Sequence, residues 1–214
     1  MSNESNKPGS DGLRILFPTL IYEAWMPDYA AHKTQLCGFN RQLRDIDKQG
    51  LETSGTEYPQ GYTSYFTRNN LYTEPVLAPL VSFLHAAAFR YAQQHHWDVL
   101  RFEPVMNTLW ANINPRFSFH RDHLHPYSHI SGVFYVDIEP NSPSISFKDP
   151  RGGRWMMPPA ADGSRPENTF FAKIMPQDGK LLMFPSWLEH AVEQNQTDFE
   201  RISMSFNFEM RPKS

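Results

Sequence analysis

The run from Arg201 to Met210 constrains the fold more than any other stretch of this 214-residue sequence. Ile202, Met204, Phe206 and Phe208 alternate with Arg201, Ser203, Ser205 and Asn207. A period of two becomes one apolar and one polar face only on a β-strand. One side of that strand must pack against a core, and the other presents an arginine to whatever the strand encloses. An arginine facing the inside of a barrel must meet an anion or a buried carboxylate. Strand-like runs also occupy residues 101–112, 130–137, 144–148, 169–174, 180–184 and 190–193, with Pro, Gly and Asn between them. Short strands in this number, punctuated in this way, argue for a sandwich or a barrel.

The first half reads differently. Met1 to Gly12 is polar and rich in Ser, Asn and Gly, which predicts a disordered tail. Ile15 to Trp25 reads as an edge strand that Pro27 terminates. Leu36, Phe39, Leu43 and Ile46 recur at helical intervals and predict a helix over 28–47. Leu77, Leu80, Leu84, Ala87 and Tyr91 predict a second over 75–96, with Pro75 near its start and Pro79 disturbing its first turns. Residues 52–67 fit either a loop or an irregular strand lining a pocket. The expected organisation is one domain over 13–214, with helical support over about 28–96 and a β core over about 101–210.

Composition narrows the function. A net charge of −3 and a pI near 6.3 supply no basic field, so no nucleic-acid partner is expected. No apolar run is long enough for a membrane span. The N-terminus lacks a signal pattern and Cys37 is the single cysteine, so the cytoplasm is the expected compartment.

The chemistry concentrates in histidines. On a strand, His123 and His125 would point to the same side and could converge on one metal ion. A third ligand must come from elsewhere, and His190 follows a Gly-apolar-Pro strand and turn that would return it across the mouth of a small barrel. His120 and Asp122 form a competing His-x-Asp pair, the commoner first half of a facial triad of two histidines and one carboxylate. His129 reads as a pocket residue rather than a ligand. Trp110 and Trp187 read as packing around the site. Tyr135 could offer its phenol to a carboxylate, or be a core tyrosine. Arg151 reaches a substrate anion only if its turn folds inward, and 152–166 reads as a candidate lid.

Trp110-Ala111-Asn112, His123-Leu124-His125-Pro126, Ser131 through Val136, Asp149-Pro150-Arg151, Phe184 through His190 and Arg201-Ile202-Ser203 together resemble a group of 2-oxoglutarate/Fe(II) oxygenases of bacteria and phages. The match is looser in the first half, through Leu16-Phe17-Pro18-Thr19. The resemblance implies a mainly β fold with flanking helices around a double-stranded β-helix, the jelly-roll or cupin-like core. It implies His123, His125 and His190 as metal ligands, and favours them over His120 and Asp122. It also implies that Arg201, with Ser203 beside it, binds the far carboxylate of 2-oxoglutarate. Read from the residues alone, Tyr135 and Asn112 are further candidates for the cosubstrate, and Asn112 equally suits a turn cap. The implied cofactors are Fe(II), 2-oxoglutarate and O2, and the implied reaction is a dioxygenase hydroxylation that releases succinate and CO2. No catalytic residue beyond the metal centre is implied.

A different class of function remains open: a cupin-like metal protein or isomerase without oxidative chemistry, for which Arg201-Ile202-Ser203 would have no purpose. A β-sandwich interaction module with incidental histidines is the third. The substrate, a small molecule or a side chain, is not legible, and the oligomeric state is open, a homodimer included.

Overall fold

The computed structural model of the chain describes residues 12–58, 60–159, 165 and 168–213. All but Gly12 of the expected tail, and 160–164 and 166 of the expected lid, lie outside the described residues. Two antiparallel sheets face each other. The larger has the strand order β1 (Tyr22–Trp25), β8 (Lys180–Pro185), β5 (Ile130–Asp137), β10 (Arg201–Pro212), β3 (Phe102–Asn114) and β2 (Tyr62–Thr63). The smaller runs β4 (His120–His123), β9 (His190–Val192), β6 (Ile145–Lys148) and β7 (Phe171–Ile174). This is a double-stranded β-helix core, and the strands expected from the β half are all present.

The period-two pattern decides which face goes where. Ile202, Met204, Phe206 and Phe208 of β10, with Phe134 and Val136 of β5 and Leu181 and Met183 of β8, point out of the barrel. They pack against α1 (Tyr29–Ile46) and α3 (Ala78–Gln94), which contribute Leu36, Leu43, Leu80, Leu84 and Tyr91. The main hydrophobic core therefore lies between the large sheet and its helices. A smaller core, with Val133, Leu182, Phe184, Ile145 and Phe147, closes one end of the space between the sheets.

Three expectations need correction. The buried stripe of α1 is Leu36, Cys37, Asn40 and Leu43, whereas Ile46 is 58% exposed, because the chain turns at Asp47 before its side chain can reach the core. Residues 52–67, which suited a loop or an irregular strand, contain most of a helix, α2 (Lys48–Glu57), and the short strand β2. No apolar stripe announces α2. It is held instead by polar contacts: Asp47 caps Gly50 N–H at 3.0 Å, and Ser54 bonds Gly50 and both backbone groups of Thr63. Third, β1 is shorter than the expected edge strand, covering only Tyr22–Trp25 at the margin of the large sheet.

Candidate metal centre and its cavity

β4 carries a bulge that arranges the histidines. His123 pairs with His190 and His120 pairs with Val192, so β4 spans three steps where β9 spans two. In an unbroken strand His120 and Asp122 would share a face and His123 would take the other. The extra residue brings His120 and His123 onto the same side, with ring centroids 6.1 Å apart, and leaves Asp122 exposed. His125 lies past the end of β4, so the expected single strand carrying His123 and His125 is not what aligns them. A backbone bond from His125 N–H to the Ser186 carbonyl, 3.0 Å, ties this loop to the turn that leads from β8 to His190 at the start of β9.

The result is one cluster. A nitrogen of each of His123, His125 and His190 lies within 4.8 Å of the other two, a spacing three ligands of one ion can have. His123 Nδ1 faces the Arg121 carbonyl at 2.7 Å, and His190 Nδ1 faces the Leu188 carbonyl at 2.9 Å. A ring nitrogen against a carbonyl must carry the proton, so the two Nε2 atoms are left with free lone pairs. Burial, followed by the neighbouring His123, pushes His190 down to about 3 and His125 down to about 4. Both are neutral near pH 7, the form that binds a metal. Asp122 is not part of the cluster.

A cavity of about 310 Å³ opens from this cluster to the polar face of β10. Arg201 is 1% exposed at its inner end. Its Nη1 donates to Ser203 Oγ at 3.2 Å and Asn114 Oδ1 at 3.4 Å, and its guanidinium lies 5.1 Å over the Tyr135 ring. Asn114 is itself held by Tyr58, whose ring packs 3.9 Å from that of His120. Arg201 Nε, the Tyr135 hydroxyl and Asn112 Oδ1 are buried without a hydrogen-bond partner. Among the described residues no carboxylate pairs with Arg201. Burial raises the Tyr135 phenol to about 12, with the Arg201 cation opposing the rise. A buried cation with an unused donor costs free energy unless an anion arrives.

The sequence-derived residues sort accordingly. Arg201, Ser203, Asn112 and Trp110 line the cavity with the three histidines. Register places Tyr135, Ser203 and Asn112 in one row across β5, β10 and β3, but Tyr135 lies beneath Arg201 rather than on the cavity wall. Asn112 gives its amide nitrogen to Ser205 Oγ at 3.0 Å. Three expected neighbours lie elsewhere. His129 is exposed and accepts from Met210 N–H, because its strand neighbour Ile130 takes the buried position. Trp187 is 56% exposed on the tip of the β8–β9 turn. Arg151 grips its own Asp149 at 2.7 Å and lines a separate cavity. Sequence reasoning missed Tyr58, Tyr65, Phe66, Asn114 and Arg121. The pocket-lining option for 52–67 was the one available signal for the first three.

Two facing antiparallel sheets enclose a histidine cluster that could hold a metal ion and a buried arginine with no carboxylate partner among the described residues, on a double-stranded β-helix core. Residues 108–207, just under half of the chain, match the sequence profile of a family described as "Putative 2OG-Fe(II) oxygenase". That family's cofactors are Fe(II), 2-oxoglutarate and O2. None of the curated proteins matches significantly. Solved structures share the fold. A prolyl-4-hydroxylase from Pseudomonas putida is 15% identical with a TM-score of 0.60, covering 90% of this chain and 94% of its own. The epimerase SnoN, solved with Fe3+ and α-ketoglutarate, is 12% identical at 0.60, covering 89% and 79%. HygX from Streptomyces hygroscopicus, solved with nickel, 2-oxoglutarate and hygromycin B, is 14% identical at 0.55, covering 89% and 83%.

Proposed function

We propose that residues 13–214 form one dioxygenase domain that hydroxylates a still unidentified substrate, with His123, His125 and His190 holding Fe(II) and Arg201 and Ser203 holding 2-oxoglutarate. Arg201 carries this reading: a buried guanidinium with an idle Nε suits a carboxylate that accepts two parallel hydrogen bonds. Ser203 Oγ stands beside it to add a third. Tyr135 stiffens the guanidinium from below, and its unpartnered hydroxyl is a further donor at the same end. Asn112 fits a less direct role, because its free oxygen is an acceptor and would meet a carboxylate only through water. When bound, the iron and its cosubstrate supply the oxidising power, releasing succinate and CO2. The chain's own groups orient the cosubstrate, keep two imidazoles neutral and exclude water with Phe184 and Trp110. No helix among the described residues is long and apolar enough to cross a membrane. The lone, buried Cys37 supports a cytoplasmic setting.

A metal protein without oxidative chemistry is the competing reading, favoured because no carboxylate among the described residues joins the histidine cluster. Calorimetry of 2-oxoglutarate with Mn(II) in place of iron separates the two. Arg201→Ala should weaken binding roughly ten- to a hundredfold, from a charge-assisted contact of about 1.5–3 kcal/mol at about 1.4 kcal/mol per decade. Arg201→Lys should recover part of it, keeping the charge but losing the fork. Equal affinity in wild type and both variants would make Arg201 a structural residue and favour the non-oxidative reading.

A further inference from the structure

The outer half of the cavity differs in character from the Arg201 end. Its rim is formed where β4 and the segment after β2, edge regions of the two sheets, come together across the Tyr58 and His120 rings. On one side Tyr65 stands edge-on to Phe66, centroids 5.3 Å apart, and to Trp110 at 5.0 Å, and Trp110 lies 5.7 Å from His125. Tyr65 is 39% and Phe66 53% exposed although both line the cavity. Large apolar rings left open to water beside a metal site gain free energy when a flat apolar group covers them.

Arg121, exposed, lines the same cavity. Several exposed arginines have carboxylate partners, as Arg116 has Asp198 and Arg151 has Asp149, each at 2.7 Å. Among the described residues Arg121 has none. Its own carbonyl holds the His123 ring, so its position is fixed relative to the histidine cluster. The charge balance points the same way. Among the described residues no Asp or Glu lines the cavity, and the histidine cluster holds no carboxylate. A divalent iron and a 2-oxoglutarate dianion cancel, leaving the two guanidinium groups of Arg121 and Arg201 uncompensated. A cationic substrate would be repelled from such a site, and an anionic one drawn in.

We propose that the substrate is a small anion: a molecule with a carboxylate or phosphate group held by Arg121 and a flat apolar body laid against Tyr65, Phe66 and Trp110. This rests on the function proposed above. The test uses protein loaded with Mn(II) and 2-oxoglutarate, with binding of indole-3-acetate, indole-3-propyl phosphate and tryptamine followed by ligand-detected NMR. The two anions share the ring and differ in the acid, and tryptamine carries the opposite charge. One or both anions should bind, and tryptamine should bind at least about tenfold more weakly. Arg121→Gln should weaken the bound anion about three- to tenfold, the loss of one exposed charge-assisted contact. Phe66→Ala should weaken it as well, by uncovering ring surface. If 2-oxoglutarate itself fails to bind wild-type protein, the proposed function falls and this inference with it. If 2-oxoglutarate binds but tryptamine matches the anions, or no ring compound binds, only the inference is overturned.

Discussion

Asp122 and His125 show how a single residue decides the nature of the metal site. Both were legible as candidates, and alternation along a regular strand would have grouped Asp122 with His120. The β4 bulge cancels that alternation, and no feature of His120-Arg121-Asp122-His123 announces it. Replacing His125 by Ala should therefore abolish iron binding, and replacing Asp122 by Ala should leave it nearly unchanged, as read by iron content after reconstitution. A metal-free Asp122 variant beside a loaded His125 variant would restore the His-x-Asp alternative. Asn114 offers a second test. It lies 3.4 Å from Arg201, so Asn114→Asp would place a competing carboxylate against the guanidinium. Weaker 2-oxoglutarate binding in calorimetry, by about tenfold, is the expected result. Arg201 itself could be read from the sequence because its strand keeps a strict period. Of its supporting partners, Ser203 and Tyr135 were also legible, whereas Asn114 and Tyr58 were not, since Tyr58 comes from a distant segment with no periodic signature.

The elements differ in how far their own residues announce them. β10, β5 and α3 were legible because burial of one face imposes a repeat, and the structure keeps their bounds within a few residues of those expected. α2 depends on Asp47, which is 6% exposed and accepts from Gly50 N–H, Tyr62 Oη at 2.9 Å and Thr67 Oγ1 at 2.6 Å. These bonds hold the segment that brings Tyr58, Tyr65 and Phe66 to the cavity. Asp47→Ala removes a helix cap and two buried hydrogen bonds to a carboxylate, at a cost of about 2–4 kcal/mol. Denaturant unfolding should show that loss, and an unchanged midpoint would mean that packing alone holds α2. On β5, a Cβ at Gly132 would stand 2.5 Å from the Leu182 carbonyl oxygen and 2.3 Å from the Phe206 ring. Gly132→Ala should destabilise the fold by about 1–3 kcal/mol, because the carbonyl belongs to a paired strand and cannot move aside.

At the scale of the molecule, the chain builds most of its hydrophobic core outside the barrel, between the large sheet and its helices, and keeps the space between the sheets partly polar. Ser131, Ser186, Asn207 and Thr108 satisfy one another within the barrel, so its polar face is paid for there without a ligand. Around Arg201 it is not, and that is where the account places the cosubstrate. Binding of metal and 2-oxoglutarate should then stabilise the folded state, by about 2.7 kcal/mol for a ligand at a hundred times its dissociation constant. Thermal unfolding with Mn(II), with and without 2-oxoglutarate, should show two successive rises, and Arg201→Ala should lose only the second. The most direct measurement is succinate formed from 2-oxoglutarate by the iron-loaded protein in air. Succinate and CO2 should form in equal amounts, dependent on Fe(II) and O2, and neither should form with His125→Ala. Protein that holds iron and 2-oxoglutarate yet leaves the cosubstrate intact, whatever anion is supplied, would contradict it.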